Sequence, residues 1–286
     1  MGRVAIVTDN AADLLPEEIA AAGVLVVPLS VSFGEESFQP GVDLTNEQFY
    51  ERLTAPGAPF PKTAAPSAGL MQAAFERALG GGADAIVCIT LSGGLSATLE
   101  SARMARAALP DREIHIVDTR WASYPEGVFV ELAVELSAQG GTAREIAAQL
   151  ERRIPDMNAM IVVDTLEYLR RGGRISGTKA AFATALSVKP ILTVEHGVLE
   201  QVDRVRTRSK ARARAIELLR ERIGDREVER AAVLRTVTPD AGSFAGETAR
   251  ILGLDPDLVP VRTVGPTIGS HLGPGMVAVL ALARSA

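Results

Sequence analysis

The chain has 286 residues, of which 47% are hydrophobic and 23% charged, and this balance excludes a disordered or fibrous protein. Its formal net charge of −5 argues against nucleic acid or an anionic membrane surface as the main partner. The single cysteine, Cys88, excludes an intramolecular disulfide and fits a reducing compartment, so we expect a cytoplasmic protein in which Cys88 is a buried hydrophobic residue.

Strands and helices alternate along the first half of the chain. The predicted strands are residues 3–8, 24–31, 85–91 and 113–117, and the longer predicted helices are 67–79, 95–109, 123–138 and 142–153. Residues 3–8 do not have the pattern of a signal peptide. Thr142 and Glu145 form a capping box, and Gly23 ends the helix that Pro16 begins. The uninterrupted apolar run at 85–91 is typical of a parallel sheet covered on both faces, so we predict a parallel α/β layer.

The second half follows a break at residues 155–158, where we place the boundary between domains of residues 1–157 and 158–286. A hairpin turn at 195–197, between strands 190–194 and 198–206, predicts a mixed or antiparallel sheet with helices. No formally charged residue lies between Arg262 and Arg284. The glycines and prolines in the first part of that span exclude a lipid-exposed helix, so we expect a loop, then a buried strand at 276–282, and no integral membrane segment.

The loop at 265–275, Gly-Pro-Thr-Ile-Gly-Ser-His-Leu-Gly-Pro-Gly, is the densest cluster of conformationally special residues and holds His271, one of three histidines. Glycine allows a backbone to approach a ligand closely, so this loop is a candidate site. Its alternative interpretation is a tight turn with an incidental histidine. His115 lies in an apolar strand, where we expect a core residue, and His196 lies in a turn, where we expect exposure.

Two hydroxyl-rich segments add to this candidate. Residues 92–98, Ser-Gly-Gly-Leu-Ser-Ala-Thr, follow the apolar strand at 85–91 and open a helix. Ligands of open α/β sheets bind beyond the carboxyl ends of strands, where backbone N–H groups and hydroxyls face an anion. Thr63, in a predicted loop before the helix at 67–79, adds a further hydroxyl. Helix capping is the alternative role for each of these residues.

Familiar cofactor and catalytic motifs do not fit the sequence. The order Gly177-Thr178-Lys179 is not that of a phosphate loop, and too few residues follow the dinucleotide-like pattern at 273–278 for a βαβ unit. Neither the histidines nor the cysteine have metal-ligand spacing, and no serine lies in a nucleophile elbow. We therefore expect no cofactor, no metal and no catalytic residue of its own.

Five segments in a fixed order carry a family resemblance. They are residues 8–14, 62–67, 92–98, 164–176 and 265–275, and the most specific are Gly-Gly-Arg-Ile-Ser at 172–176 and Gly-Ser-His-Leu-Gly-Pro-Gly at 269–275. Together they resemble the DegV family of bacterial fatty-acid-binding proteins over essentially the whole chain. The resemblance implies a two-domain α/β fold that binds a long-chain fatty acid as its ligand, in a tunnel of the N-terminal domain, with the C-terminal domain closing over the carboxylate.

The resemblance also implies which residues bind the carboxylate. Thr63, Ser96 and His271 match the family's threonine, serine and histidine. Possible additional contacts are Ser92, Gly93, Gly94, Arg174, Gly269 and Ser270. The sequence departs from the family pattern at Asn10, Ala64, Ala65, Gly93 and Ala97. The resemblance further implies that the bound acid is presented to a separate ATP-dependent kinase, which would make an acyl phosphate for phospholipid synthesis.

A basic segment at 204–214 is a candidate docking surface for such a kinase. Arg204 and Arg206 alternate on a predicted strand, Arg208 follows, and Ser209 is the predicted cap of the next helix. A solvated surface is the alternative. Two other functions stay open: an enzyme that acts on a small carbonyl or polyol through His271, as in folds like the dihydroxyacetone kinases, and an interaction protein that works through the basic segment alone.

Overall fold

The computed structural model describes residues 2–175, 188–238 and 240–285. The chain forms two compact units, one of Met1–Thr45 with Phe60–Ile154 and the other of Asn46–Pro59 with Pro155–Ala286. The segment Asn46–Pro59 thus belongs to the second unit. The division into domains of residues 1–157 and 158–286 stays a prediction. The triplet Gly177-Thr178-Lys179, which does not fit a phosphate loop, lies outside the described residues.

The elements alternate much as the sequence predicts. The strands are β1 Val4–Asp9, β2 Leu25–Val27, β3 Ser30–Phe33, β4 Glu36–Phe38, β5 Pro61–Ala64, β6 Ala85–Thr90, β7 Glu113–Asp118, β8 Met157–Val162, β9 Lys189–Glu195, β10 Val198–Val205, β11 Val228–Arg235, β12 Val261–Thr263 and β13 Val277–Ala283. The described α-helices are α1 Pro16–Ala22, α2 Asn46–Thr54, α3 Ala68–Gly80, α4 Thr98–Ala107, α5 Tyr124–Ala138, α6 Ala143–Arg153, α7 Glu167–Gly172, α8 Arg208–Ile223, α9 Ala241–Leu252 and α10 Pro266–Leu272.

A parallel sheet forms the centre of the first unit. Its strand order is β2-β1-β6-β7, and every neighbouring pair is parallel. Helices α3 and α4 cover one face, where the core contains Phe75, Ile86 and Cys88. Because strand side chains alternate, Val87 and Ile89 point to the opposite face, against which α5 and α6 pack. All six residues of β6 are buried, which confirms the prediction drawn from its apolar run.

Local signals at the helix ends are also confirmed. The hydroxyl of Thr142 accepts the N–H of Glu145, whose carboxylate accepts the N–H of Thr142 in return. Ser67 caps α3 by accepting the N–H of Leu70. Gly23 ends α1 in the left-handed conformation that glycine tolerates best.

A small antiparallel sheet in the first unit corrects two predictions. Its order is β4-β3-β5. The predicted strand 24–31 is broken by Pro28 into β2 and β3. At this corner the side-chain NH₂ of Asn10 donates to the carbonyl of Leu29, and its Oδ1 accepts the N–H of Leu29. Thr63 was expected in a loop, but it lies within β5 and pairs with Val31 of β3. Pairing with β3 makes this short segment a strand, which its own sequence does not predict.

A mixed six-stranded sheet forms the centre of the second unit, which confirms the predicted fold class. Its order is β10-β9-β8-β13-β11-β12, antiparallel throughout except for β11 and β12. Helices α8 and α9 pack on it, with Met160, Ile216 and Phe244 in the shared core. The predicted turn at His196 joins β9 to β10, and His196 is exposed as expected.

The segment predicted as a loop at 265–275 contains a helix, α10. Pro266 occupies its first turn, where the missing N–H costs nothing, and Gly273 ends it. The buried strand predicted at 276–282 is present as β13, all of it buried. No helix in residues 2–175, 188–238 and 240–285 is long and apolar enough to cross a membrane.

The packing of α3 generates a stability prediction. Phe75 is completely buried against the parallel sheet, so Phe75→Ala should destabilise the first unit by about 3–5 kcal/mol. Leu70, on the same helix, is 48% exposed, so the control Leu70→Ala should cost at most about 0.5 kcal/mol. Urea unfolding followed by the fluorescence of Trp121, the only tryptophan, measures both variants in this unit. Equal midpoints for the two variants would contradict the described core.

Candidate functional site

The carboxyl ends of three parallel strands in the first unit meet at one sheet edge. After β6, the N–H of Ser92 donates to the carbonyl of Trp121 over 2.7 Å. The hydroxyl of Thr119, after β7, donates to the carbonyl of Thr90 over 2.9 Å. At the end of β1, the carboxylate of Asp9 accepts the N–H of Leu91 over 3.1 Å. Hydrogen bonds to its neighbours therefore fix the start of the segment 92–98.

The backbone of this segment differs from the prediction. We expected its N–H groups to face an anion, but they bond within the protein. Gly93 N–H donates to Asp118 Oδ1 over 3.3 Å, Gly94 N–H donates to Ser92 Oγ over 3.1 Å, and the N–H groups of Leu95 and Ser96 donate to the Ser92 carbonyl. The segment closes as a turn before α4 starts at Thr98, three residues later than predicted. These amides thus bond within the protein, and Ser96 stays a candidate ligand residue through its hydroxyl.

Ser96 is supported by a residue that sequence reasoning missed. Its hydroxyl lies 2.9 Å from the hydroxyl of Thr98 and accepts the N–H of Thr98 over 3.3 Å. Thr98 is fully buried, whereas Ser96 is partly exposed. Thr98 therefore orients the Ser96 hydroxyl from its buried side. The Ser-x-Thr spacing was a signal that could have found it.

Glycine at position 93 lies close to the side chain of Leu99. A Cβ there would lie 2.5 Å from Leu99 Cδ2. Since the family pattern has serine at this position, the departure to glycine matches the close approach of Leu99. Thr63 lies elsewhere in the same unit, partly exposed on β5 between Lys62 and Ala64.

In the second unit, His271 lies on α10 and packs against the end of α7. A Cβ at Gly172 would collide with Nδ1 of His271, so the first glycine of the Gly-Gly pair makes room for the imidazole. A Cβ at Gly269 would lie 2.6 Å from the Tyr50 hydroxyl, so this glycine allows α10 to approach α2. Tyr50 in turn donates to the carbonyl of Val264 over 2.7 Å, just before α10. These two glycines fix the position of His271.

The surroundings of His271 favour its neutral form. Burial and, secondarily, the charge of Arg174 lower the pKa of His271 to about 4. Arg174 itself folds back and donates to the carbonyl of Gly172 over 2.6 Å. At neutral pH the imidazole therefore carries one N–H donor and no charge. Such a group hydrogen-bonds a ligand but is a weak base.

Ser270 serves its own helix. It is almost completely buried, and its hydroxyl donates to the carbonyl of Pro266 over 2.7 Å. A serine has a single O–H, so in this conformation it has no hydrogen to donate to a carboxylate. Gly269, next to it, acts through the close packing of α10 on α2.

The basic segment divides into exposed and paired residues. Arg204, near the end of β10, and Arg206, after it, are exposed. Arg208 begins α8 and forms an ion pair with Asp164. Lys189 forms a second ion pair with Asp164, with 2.9 Å between Nζ and Oδ1. Thr207, not Ser209 as predicted, caps α8 by accepting the N–H of Lys210. The cap moved because helix α8 starts two residues earlier than the pattern predicts.

Two further predictions concern isolated residues. Cys88 is completely buried in the first core, as expected. His115 is not a core residue: it is partly exposed on β7 and lies 3.1 Å from Glu113. Within the described residues, no group of three or more His, Cys, Asp or Glu residues is arranged to hold a metal ion.

Comparison with known proteins decides the family. Residues 3–284 match the family model described as an uncharacterised protein, DegV family. The chain belongs to the DegV family. A DegV domain-containing protein of Halalkalibacterium halodurans is 35% identical over 277 residues, which cover 97% of each chain.

Solved DegV structures share the fold along the whole chain. One, described as fatty acid binding of a DegV family protein from Thermus thermophilus, is 34% identical with a TM-score of 0.91, over 99% of this chain and 100% of that one. Another, described as DegV, a fatty acid binding protein from Bacillus subtilis, is 30% identical with a TM-score of 0.87, over the same shares of the two chains. These comparisons confirm both the suspected family and the predicted fold class.

The enclosure of His271 generates a pH prediction. In the folded protein His271 has a pKa of about 4, whereas in the unfolded chain it takes up a proton near its ordinary pKa of 6.5. Stability contributed by neutral His271 is therefore complete above about pH 6.5 and lost as the pH falls toward 4. An NMR titration of the imidazole, assigned with His271→Asn, should show no protonation of His271 at pH 6.

A substitution at Gly172 tests the contact with His271, and a substitution at Gly246 is its control. Gly172→Ala should displace the imidazole toward solvent and raise the pKa of His271 toward its ordinary value. Gly246→Ala, in a helix of the same unit with nothing within 4 Å of the new Cβ, should leave that pKa unchanged. An unchanged titration in Gly172→Ala would contradict the described contact.

Proposed function

We propose that the protein binds a long-chain fatty acid and that Thr63, Ser96 and His271 bind the carboxylate. The observation that carries this proposal is whole-chain similarity, at 34% and 30% identity, to DegV proteins described as binding fatty acid. Similarity of this extent preserves the fold in which the three side chains sit. The proposal assigns no catalytic residue and no cofactor to the chain.

The chemistry of the three side chains supports the proposal. A carboxylate next to a hydrocarbon tail loses hydration and takes up a proton unless donors replace the water. The Ser96 hydroxyl can be one such donor when the hydroxyl of Thr98, 2.9 Å away, donates to it. Neutral His271 provides an N–H without a full charge. A carboxylate bound by neutral donors alone keeps a binding free energy small enough for release or chemical modification.

We further propose that the bound acid is presented to a separate ATP-dependent kinase in the cytoplasm. In that step a carboxylate oxygen attacks the γ-phosphorus of ATP, a new P–O bond forms, and ADP leaves with the electrons of the broken bond. The product is an acyl phosphate for phospholipid synthesis. The kinase would supply the nucleotide site, and this chain would supply the acyl substrate.

The exposed arginines are the proposed docking residues for that kinase. Arg204 and Arg206 are solvent-exposed on one edge of the second sheet, where β10 ends. Exposed charges of this kind increase the association rate with an acidic partner surface. Arg208 is less suited to direct docking because Asp164 already pairs with it.

The head-group residues can be tested by binding. Thr63→Val and Ser96→Ala should each weaken oleate binding about tenfold to a hundredfold, since a hydrogen bond to a charged acceptor contributes roughly 1.5–3 kcal/mol. Isothermal titration calorimetry of delipidated protein measures the dissociation constants. Ser101→Ala, on α4 in the same unit, is the matched control and should bind like the wild type.

Two outcomes would contradict the proposal. Normal oleate binding by both Thr63→Val and Ser96→Ala would refute the assigned head-group residues. A wild-type protein that takes up no fatty acid but converts a small carbonyl substrate, with loss of activity in His271→Asn, would favour the enzyme instead.

Docking is tested with a reconstituted kinase assay. The double variant Arg204→Glu/Arg206→Glu should keep its affinity for oleate but reduce acyl phosphate formation by an added fatty acid kinase about tenfold, because charge reversal slows association. Hydroxylamine trapping of the acyl phosphate measures the rate. Arg106→Glu/Arg112→Glu, exposed in the first unit, has the same change in net charge and should be unaffected. Equal loss in both double variants would contradict a specific docking surface.

A further inference from the structure

Two carboxyl groups lie buried in the first unit, apart from the proposed head-group residues. Asp9 ends β1, and Glu126 lies in the first turn of α5. Both are completely buried. Burial of an ionised carboxylate is costly unless hydrogen bonds or an opposite charge compensate it, so two such groups side by side need a specific arrangement.

Asp9 accepts hydrogen bonds from two parts of the backbone. Its Oδ1 accepts the N–H of Ala11 over 2.9 Å, and its Oδ2 accepts the N–H of Leu91 over 3.1 Å. Leu91 directly precedes Ser92, where the segment 92–98 begins. Asp9 thus connects the end of β1 to the residue from which that segment starts.

Glu126 reaches Asp9 from the helix above the sheet. Its Oε1 accepts the hydroxyl of Thr8 over 3.3 Å, and Thr8 points to this face because its neighbour Val7 points to the other. Its Oε2 is buried and receives no hydrogen bond from a donor in the described part of the chain. Asp9 lies near enough to Glu126 that its charge raises the pKa of Glu126.

A hydrogen bond between two carboxyl groups requires a proton on one of them. The groups that face the pair are acidic: Asp13 lies near Glu126, and the Cys88 thiol lies near both. Burial first, and then the charges of Asp9 and Asp13, raise the pKa of Glu126 well above its usual range. Burial raises the pKa of Asp9 to about 7, partly offset by the N–H groups of Leu91 and Ala11. Asp9 accepts two backbone N–H groups, which favour its ionised form, whereas Oε2 of Glu126 accepts none, so the geometry places the proton on Glu126.

We propose that protonated Glu126 donates its Oε2–H to ionised Asp9, and that Asp9, held in this way, is the positioning residue for the segment Leu91–Ser96. Asp9 then accepts three donors, the N–H groups of Ala11 and Leu91 and the Glu126 hydroxyl, which together replace its hydration. The link to fatty-acid binding rests on the proposed role of Ser96, whereas the proton on Glu126 does not.

The fold supports this pair from the side of α5. The hydroxyl of Ser123 bonds the carboxylate of Asp13, and the carbonyl of Ser123 accepts the N–H of Glu126 over 2.9 Å. Ser123 has φ 61° and ψ −155°, a conformation that is costly for a residue with a Cβ. Its strained backbone places Glu126 in the first turn of α5, above Thr8.

The proton on Glu126 is tested by a variant that keeps its shape. Glu126→Gln retains an N–H donor for Asp9 and cannot ionise. Because the pKa of Glu126 is raised in the folded state, the wild type loses stability as the pH rises above the ordinary value of 4.5, and the variant lacks this loss. The melting temperature of Glu126→Gln minus that of the wild type should therefore increase with pH. A difference that falls as the pH rises would show an ionised, stabilising Glu126 and overturn the proposal.

The positioning role of Asp9 is tested by binding. Asp9→Asn replaces one accepting carboxylate oxygen by an NH₂ donor, so one hydrogen bond to residue 9 is lost. The variant should bind oleate at least about tenfold more weakly than the wild type. Its circular dichroism spectrum should match that of the wild type, which shows that it is folded. Glu126→Gln should bind oleate like the wild type. Wild-type affinity in Asp9→Asn, or a tenfold loss in Glu126→Gln, would overturn the positioning role.

These tests separate the inference from the proposed function. If the wild type takes up no oleate, the proposed function fails while the pH dependence of the Glu126→Gln melting temperature still decides the protonated pair. In that case hydrogen exchange of the Leu91 amide replaces binding as the measure of positioning. Faster exchange in Asp9→Asn than in Glu126→Gln supports the role of Asp9, and equal exchange refutes it.

Discussion

Parallel pairing of β1, β6 and β7 is the constraint on which the site in the first unit depends. Parallel strands end at the same edge, so Asp9, Leu91 and Asp118, far apart in sequence, end close together. Their hydrogen bonds fix the turn after β6, which contains Ser96. The sheet is covered by helices on both faces, so this edge is built on a closely packed core.

In the second unit, close packing at two glycines positions His271. Glycines at 172 and 269 let α10 approach α7 and α2 more closely than any side chain would allow. The same enclosure that fixes His271 also removes water from it, which keeps the imidazole neutral. Packing and protonation state thus have one cause. A neutral imidazole suits a role in binding better than a role as a base.

Sequence patterns predicted the elements whose signals are local. The capping box of Thr142 and Glu145, the helix end at Gly23 and the apolar run of β6 depend on residues within a few positions of each other, and the structure agrees at all three. The approach failed where distant segments decide. Thr63 is in a strand because β3 pairs with β5, and a glycine stands at position 269 of α10 where Tyr50 of α2 leaves no room for a Cβ.

The same limit applies to the site. Motif order pointed to Ser96 and His271, but nothing near Ser96 in the pattern predicted that its neighbouring amides would bond Ser92 and Asp118. The sequence also did not predict the pair of Asp9 and Glu126, because the two residues come from β1 and α5. Thr8, next to Asp9, is 118 positions away from Glu126 in the sequence. Contacts of this separation follow from the topology of the sheet and not from local spacing.

The most direct test of the central claim is native mass spectrometry of the purified protein, followed by organic extraction of what it carries. The account predicts a mass increment that matches one long-chain fatty acid, and loss of that increment in the double variant Thr63→Val/Ser96→Ala. A wild-type protein that is empty and stays empty after incubation with oleate or palmitate would contradict the account.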